Sequence, residues 1–137
     1  MDGLARRQKY TPRPHSCGLR KKAILLVEPD LDARLMLHML LTEDGCVVDS
    51  CESLTEALFA LSEKGFDFVI AANGAPGIDG LLLLDVLREQ GSEIPSVLIS
   101  SHYEKETYLL AMNLGALDYF IKPLDYAALQ RLIHRRP

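Results

Sequence analysis

Five short apolar runs alternate with five helix-patterned segments along almost the whole chain, and this alternation restricts the fold more than any other feature. The runs are Ala23–Val27, Cys46–Ser50, Asp67–Ala71, Ile94–Ile99 and Asp118–Ile121. Short apolar runs bounded by Gly, Pro or acidic residues read as strands buried on both faces. Strands that alternate with helices predict a parallel sheet covered on both sides, a three-layer α/β sandwich. The linkers of two to six residues suit such units. Among 137 residues nothing is left over for a second domain, and no internal repeat is visible.

The helices between these runs carry their own signals. Asp32 is the expected N-cap of the first, whose apolar face is read as Leu35, Met36, His38, Met39, Leu40 and Leu41, with Gly45 as its stop. Ser53 to Glu56 is a capping box opening the second, which Gly65 closes. The third runs from Gly80 to Gln90 and the fourth from Glu104 to Leu114, stopped by Gly115. Asp125 is placed to cap the fifth, which ends near Arg136.

The central stretch Phe66–Gly80 matters most for function. Its strand runs into Ala72-Asn73-Gly74-Ala75-Pro76-Gly77 and then into the turn Ile78-Asp79-Gly80. In open α/β sheets, binding and chemistry sit at the carboxyl ends of strands. The tip here offers Ala72, which has no nucleophile. Asp79, in a tight D-G turn, reads as structural, and Asn73 as a residue that tolerates a turn conformation.

Charge separates the chain into two parts. Residues 1–22 carry seven Lys or Arg against Asp2 alone, a net +6, which leaves eight basic residues against eighteen acids, or −10, for the remainder. We read the first part as a basic flexible leader, broken by Pro12, Pro14 and Gly18, and residues 23–137 as the folded domain. A basic arm suggests nucleic-acid binding as an alternative function, but the acidic body argues against it and nucleic acid is not an expected partner. No apolar run approaches the roughly 20 residues that span a bilayer, so no membrane association is expected. Cys17, Cys46 and Cys51 are odd in number and lack ligand spacing, which suggests reduced thiols and a cytoplasmic location. His38, His102 and His134 lie far apart in sequence, and no metal site is expected from them.

An acidic end to the first strand, the segments Pro76-Gly77-Ile78-Asp79-Gly80 and Gly115-Ala116-Leu117-Asp118-Tyr119-Phe120-Ile121-Lys122-Pro123, and Ser100 after the fourth strand together resemble the receiver domain of two-component response regulators. The resemblance covers about residues 23–134. It implies a flavodoxin-like (βα)5 fold with strand order 2-1-3-4-5. It further implies a site where an Asp after the third strand takes a phosphoryl group from a histidine kinase. Two acids after the first strand help hold Mg²⁺ there, and a hydroxyl and a Lys contact the phosphoryl. A carboxylate attacks phosphorus, Mg²⁺ takes hard oxygen ligands, and developing negative charge is met by a cation and a donor.

Matched position by position, Ser100 and Lys122 supply the hydroxyl and the ammonium, Glu28 the first acid, and Tyr119 the aromatic switch. Pro29 stands where the second acid belongs, with Asp30 beside it, and Ala72 stands at the phosphoacceptor position. The expected result is a remnant pocket of Glu28, Pro29, Asp30, Ala72, Asn73, Ser100 and Lys122 with no catalytic residue, no cofactor, and Mg²⁺ binding lost or weak. A metal-free Glu28–Lys122 ion pair is expected to hold it in one conformation. Ser100 and Ser101 as substitute phosphoryl acceptors are the residual phosphotransfer alternative. Their bland role, satisfying backbone groups at a strand end, is preferred, since no base is positioned beside them. The expected function is a non-enzymatic protein–protein interaction module. Its docking surface is read as Tyr103–Leu114 (including Tyr108), Tyr119 and Asp125–Arg136. The partners implied are a histidine kinase or a downstream signalling protein, and a homodimer remains open.

Overall fold

The computed structural model describes residues 21–74 and 79–135, so the basic leader read from residues 1–22 lies almost wholly outside the described residues. The order of elements is β1 (Ala23–Val27), α1 (Leu31–Glu43), β2 (Val47–Cys51), α2 (Leu54–Glu63), β3 (Phe68–Ala72), α3 (Gly80–Glu89), β4 (Ser96–Ser100), α4 (Lys105–Asn113), β5 (Asp118–Ile121) and α5 (Tyr126–Arg135). The five strands form one sheet in the order β2-β1-β3-β4-β5, and every pairing is parallel.

This order follows from the chain's one reversal of direction. From β1 the chain steps outward to β2, then crosses back over β1 to β3 and continues through β4 to β5. Right-handed crossovers in opposite directions put helices on opposite faces of the sheet. The reversal leaves the carboxyl ends of β1 and β3 adjacent, with Val27 opposite Ala71. That is the topological switch point where open α/β sheets form their sites.

Burial follows the same logic. Every residue of β1, β3 and β4 is buried, as strands covered on both faces require, whereas the edge strands β2 and β5 are only partly covered. Ile24, Leu25, Leu26, Ile70, Leu98 and Ile99 are among the largest side chains that are fully enclosed. Burying a side chain of this kind is worth about 1.5–3 kcal/mol, and it is this central core that fixes strand register.

Local signals set most boundaries. Ser53 Oγ accepts from Glu56 N at 3.2 Å, while the Glu56 carboxylate accepts from Glu52 N at 3.0 Å, one residue earlier than in the standard reciprocal box. Asp125 Oδ1 accepts from Ala128 N at 3.2 Å, as expected. The cap of α1 differs from expectation. Asp30, not Asp32, is the N-cap, accepting from Ala33 N at 2.9 Å, and Asp32 lies in the first turn. The buried face of α1 agrees at Leu41 and otherwise differs. Leu37 and Leu41 face the sheet, while Leu35, Met36 and Met39 are exposed. With apolar residues nearly all round this helix, periodicity alone does not select the inward stripe. No described helix is long and apolar enough to cross a membrane.

Candidate functional site

Glu28 is the first residue after β1 and is almost fully enclosed, at 1% exposure. Its backbone N–H still belongs to the sheet, donating to Cys51 O at 2.9 Å. Its side chain is held by two groups. Lys122 Nζ lies 2.8 Å from Oε1, and Asp30 N donates to Oε2 at 3.1 Å. Lys122 is therefore the partner of a carboxylate oxygen that otherwise accepts no hydrogen bond. The turn that follows is fastened by Arg34, whose guanidinium donates to the carbonyls of Glu28 at 2.8 Å and Pro29 at 3.3 Å. Asp30 points its carboxylate away into the α1 cap.

Ala72 is the last residue of β3 rather than the first of the loop. It lies on the floor of a cavity of about 120 Å³ lined by Glu28, Ala72, Asn73, Gly74, Ser100 and Lys122 among others. Asn73 is a cap and not a turn-former. Its N–H donates to Ile99 O at 2.8 Å, and its Oδ1 accepts from Leu81 N at 3.0 Å. The left-handed conformation falls instead to Gly74, with φ of 93°. Asp79 adds a second cap to α3, accepting from Leu82 N at 3.1 Å, so its structural role holds. A side chain at Gly80 has no room, because a Cβ there would sit 2.5 Å from the Ala72 carbonyl oxygen. This close approach brings the start of α3 against the end of β3.

On the opposite wall, Ser100 Oγ donates to His102 O at 3.1 Å and accepts from His102 N at 3.3 Å. The hydroxyl is thus engaged in its own turn, the role preferred from sequence. The same His102 carbonyl accepts from the Tyr119 hydroxyl at 2.9 Å. Tyr119 is buried, at 8% exposure, rather than half-buried as an edge-strand residue suggests. Its ring centroid lies 6.1 Å from that of Tyr103 and 6.2 Å from that of Tyr108. Tyr103 and Tyr108 are themselves 6.2 Å apart, so the three rings form a closed cluster of tilted aromatic pairs. The structure thus brings together Glu28, Ala72, Asn73, Ser100 and Lys122 around one cavity, and places the three tyrosines beside it through His102. Pro29 and Asp30 lie on the turn above it and do not line it.

The end of the domain opposite this cavity holds a cluster for which sequence spacing offered no signal. Asp44 after α1 and His134 in α5 stand 90 positions apart, yet His134 Nε2 lies 2.7 Å from Asp44 Oδ2. Gln130 Nε2 donates to Asp44 Oδ1 at 2.7 Å, and Cys46 lies next to them, enclosed. Burial pushes the Cys46 thiol up to about 11, and the Asp44 carboxylate adds to the effect.

Comparison with known proteins agrees with this architecture. Residues 24–134 match the model of the response regulator receiver domain. The chain is 33% identical over 107 residues to the two-component response regulator PhoP of Pseudomonas aeruginosa, covering 78% of this chain and 48% of that protein. It is 33% identical over 112 residues to the transcriptional regulatory protein ZraR of Salmonella typhimurium, covering 82% of this chain and 25% of that protein. The chain thus spans about half the length of the first relative and a quarter of the second. Among solved structures, a two-component response regulator from Clostridium difficile superposes with a TM-score of 0.78 at 28% identity, covering 85% of this chain and 98% of that one. The non-phosphorylated HemR receiver domain from Leptospira biflexa gives 0.77 at 25% identity, with the same coverage. With the sheet order, the switch-point cavity and these matches in agreement, the chain belongs to the response regulator receiver domain family.

Proposed function

We propose that this receiver domain acts as a phosphorylation-independent protein–protein interaction module in two-component signalling, without enzymatic activity of its own. The observation that carries the reading is the pairing of Glu28 with Lys122 at 2.8 Å beside Ala72 at the end of β3. A methyl group accepts no phosphoryl group. The lysine that would meet phosphoryl charge already neutralises a buried carboxylate.

The donor set does not fit a magnesium ion. Mg²⁺ takes near-octahedral oxygen ligands at about 2.0–2.1 Å, and protein sites supply one or two carboxylates to it. Here the Glu28 carboxylate is committed to Lys122 and Asp30 N, the Asp30 carboxylate caps α1, and Pro29 and Ala72 offer no side-chain donor. The charge balance favours the same reading, since one buried acid and one lysine already sum to zero without a divalent cation.

The Ser100–His102–Tyr119 hydrogen bonds tie the β4–α4 loop to a buried Tyr119. A docking surface held in one state is what a module of this kind needs. Tyr103, Leu109 and Leu110 are each more than half exposed on or beside α4, and apolar side chains exposed together in this way mark partner contacts. A histidine kinase or a downstream signalling protein is the partner class that the family supplies. A homodimer through the same surface would be a further use of it.

The test is an amide NMR titration with Mg²⁺ followed by beryllofluoride, a phosphoryl mimic. The expected result is no saturable shift at Ala72, Ser100 or Lys122. Saturable shifts there that spread to Tyr119 would overturn the reading. So would phosphate from a small phosphodonor mapped to Ser100 or Ser101.

A further inference from the structure

We propose that Asp44, Cys46 and His134 form a zinc-binding centre at the end of the domain remote from the switch-point cavity. A carboxylate oxygen, the thiol sulfur and a ring nitrogen from these residues all lie within 4.8 Å of one another. One thiolate, one imidazole and one carboxylate is a donor set that zinc accepts readily, since it is borderline-soft and imposes no geometry of its own. A tetrahedral ion with bonds of about 2.0–2.3 Å holds its ligand atoms about 3.3–3.6 Å apart. The His134–Asp44 contact of 2.7 Å therefore has to open by only about 0.6 Å. The Cys46 Sγ distance to the other two donors has at most about 1.5 Å to close. A water molecule completes the tetrahedron on the side where His134 meets solvent.

The surroundings suit a bound cation. Gln130 Nε2 already fixes the other Asp44 oxygen at 2.7 Å, the outer contact that aims a ligating carboxylate. Tyr126, near enough for Asp44 and Cys46 to act on its phenol, donates its hydroxyl to Leu40 O at 3.2 Å. Lys22 and Asp67 are the nearby charges and oppose each other in sign. On binding, a Zn–S bond replaces the S–H bond of Cys46 and that proton leaves to solvent, while the proton that His134 Nε2 shares with Asp44 is lost to solvent or passes to Nδ1 as Nε2 takes the metal. No electron moves. The ion would tie α5 to the turn between α1 and β2 more firmly than the present hydrogen bonds, and so brace one edge of the proposed docking surface.

The experiment uses the full chain, with Co²⁺ as the optical probe and Zn²⁺ in thermal melts. One equivalent of Co²⁺ is expected to give thiolate-to-metal charge-transfer absorption, displaced by Zn²⁺. Zn²⁺ is expected to raise the melting midpoint in proportion to the logarithm of its free concentration. Cys46→Ser should abolish the absorption, His134→Gln should abolish the thermal shift, and Gln130→Ala should weaken binding about ten-fold. Circular dichroism of each variant establishes that the fold is retained. Should Cys46→Ser fail to fold, Asp44→Asn and His134→Gln carry the same test from the surface. Absence of the charge-transfer band, or binding that survives both Cys46→Ser and His134→Gln but is lost with Cys17→Ser, would overturn the proposal.

Discussion

The two ends of the sheet handle buried ionisable groups in opposite ways. At the carboxyl end, Glu28 is enclosed and its charge is met by Lys122 at 2.8 Å, inside a cavity formed where the chain reverses direction. At the amino end, the Cys46 thiol is enclosed and held neutral by burial, while the Asp44 carboxylate and the His134 ring meet at a rim that solvent reaches. One end closes its ionic account internally, and the other keeps three metal-type donors together without consuming all of them. A strand end in this fold thus becomes inert or receptive according to whether its charged groups already have full partners.

The largest expected effect breaks the carboxyl end. Removing one member of a buried pair strands the other, which costs about 3–5 kcal/mol when the survivor cannot reach water. Lys122→Met should therefore destabilise the domain by about 3–5 kcal/mol, because the Glu28 carboxylate that it strands is enclosed. Glu28→Gln should also lower the unfolding midpoint, and the double variant should cost less than the two singles added together. Strict additivity in a denaturant-melt cycle would show that the pair is not coupled and would remove the lock from the proposed function.

Gly80→Ala comes next, at about 2 kcal/mol, because the clash is with the backbone carbonyl of Ala72 and not with a side chain that can turn aside. Amide exchange would show the loss concentrated at Ala72, Asn73 and Leu81 and leave Asp44 and His134 unchanged. A loss spread equally over both ends would mean that the α3 approach is not local to the switch point.

Much of this is legible in the sequence, and the exceptions have physical causes. The bounds of β1 and β5 were read to the residue, because each is a dense apolar run halted by a charged residue and a proline just beyond. The pairing of Glu28 with Lys122 is legible through the resemblance to receiver domains, which places an acid after β1 and a lysine after β5 at one site. The inward face of α1 was misread because Leu35, Met36 and Met39 are as apolar as Leu37 and Leu41, and only contact with the sheet distinguishes them. Asp30 was passed over as the cap because Asp32 offers the same chemistry two residues later, and the bond from Asp30 N to Glu28 fixes the choice. The Asp44–Cys46–His134 cluster was invisible because only the docking of α5 beside the end of α1 brings position 134 to position 44.

The smallest effect separates the two ends by their thiols. Cys51 closes β2 at the carboxyl end, and burial, with Glu56 next in weight, pushes it up to about 11 from an ordinary 9.0. Cys46, near the other end of the same strand, is pushed up to about 11 from the same 9.0. A raised thiol stays protonated in the folded chain while the unfolded chain has already lost its proton. Stability is therefore fully present below pH 9 and falls as the pH rises from about 9 toward 11, by at most about 1.4 kcal/mol per pH unit for each thiol. Cys51→Ala should remove one share of that slope in metal-free buffer. Saturating Zn²⁺ should remove the other, because a metal-bound Cys46 has no proton left to lose. Urea melts at pH 8, 9 and 10 would read both changes. A slope that Zn²⁺ leaves intact while Cys51→Ala reduces it would return Cys46 to a purely structural role, and the two ends of β2 would then differ in burial geometry alone.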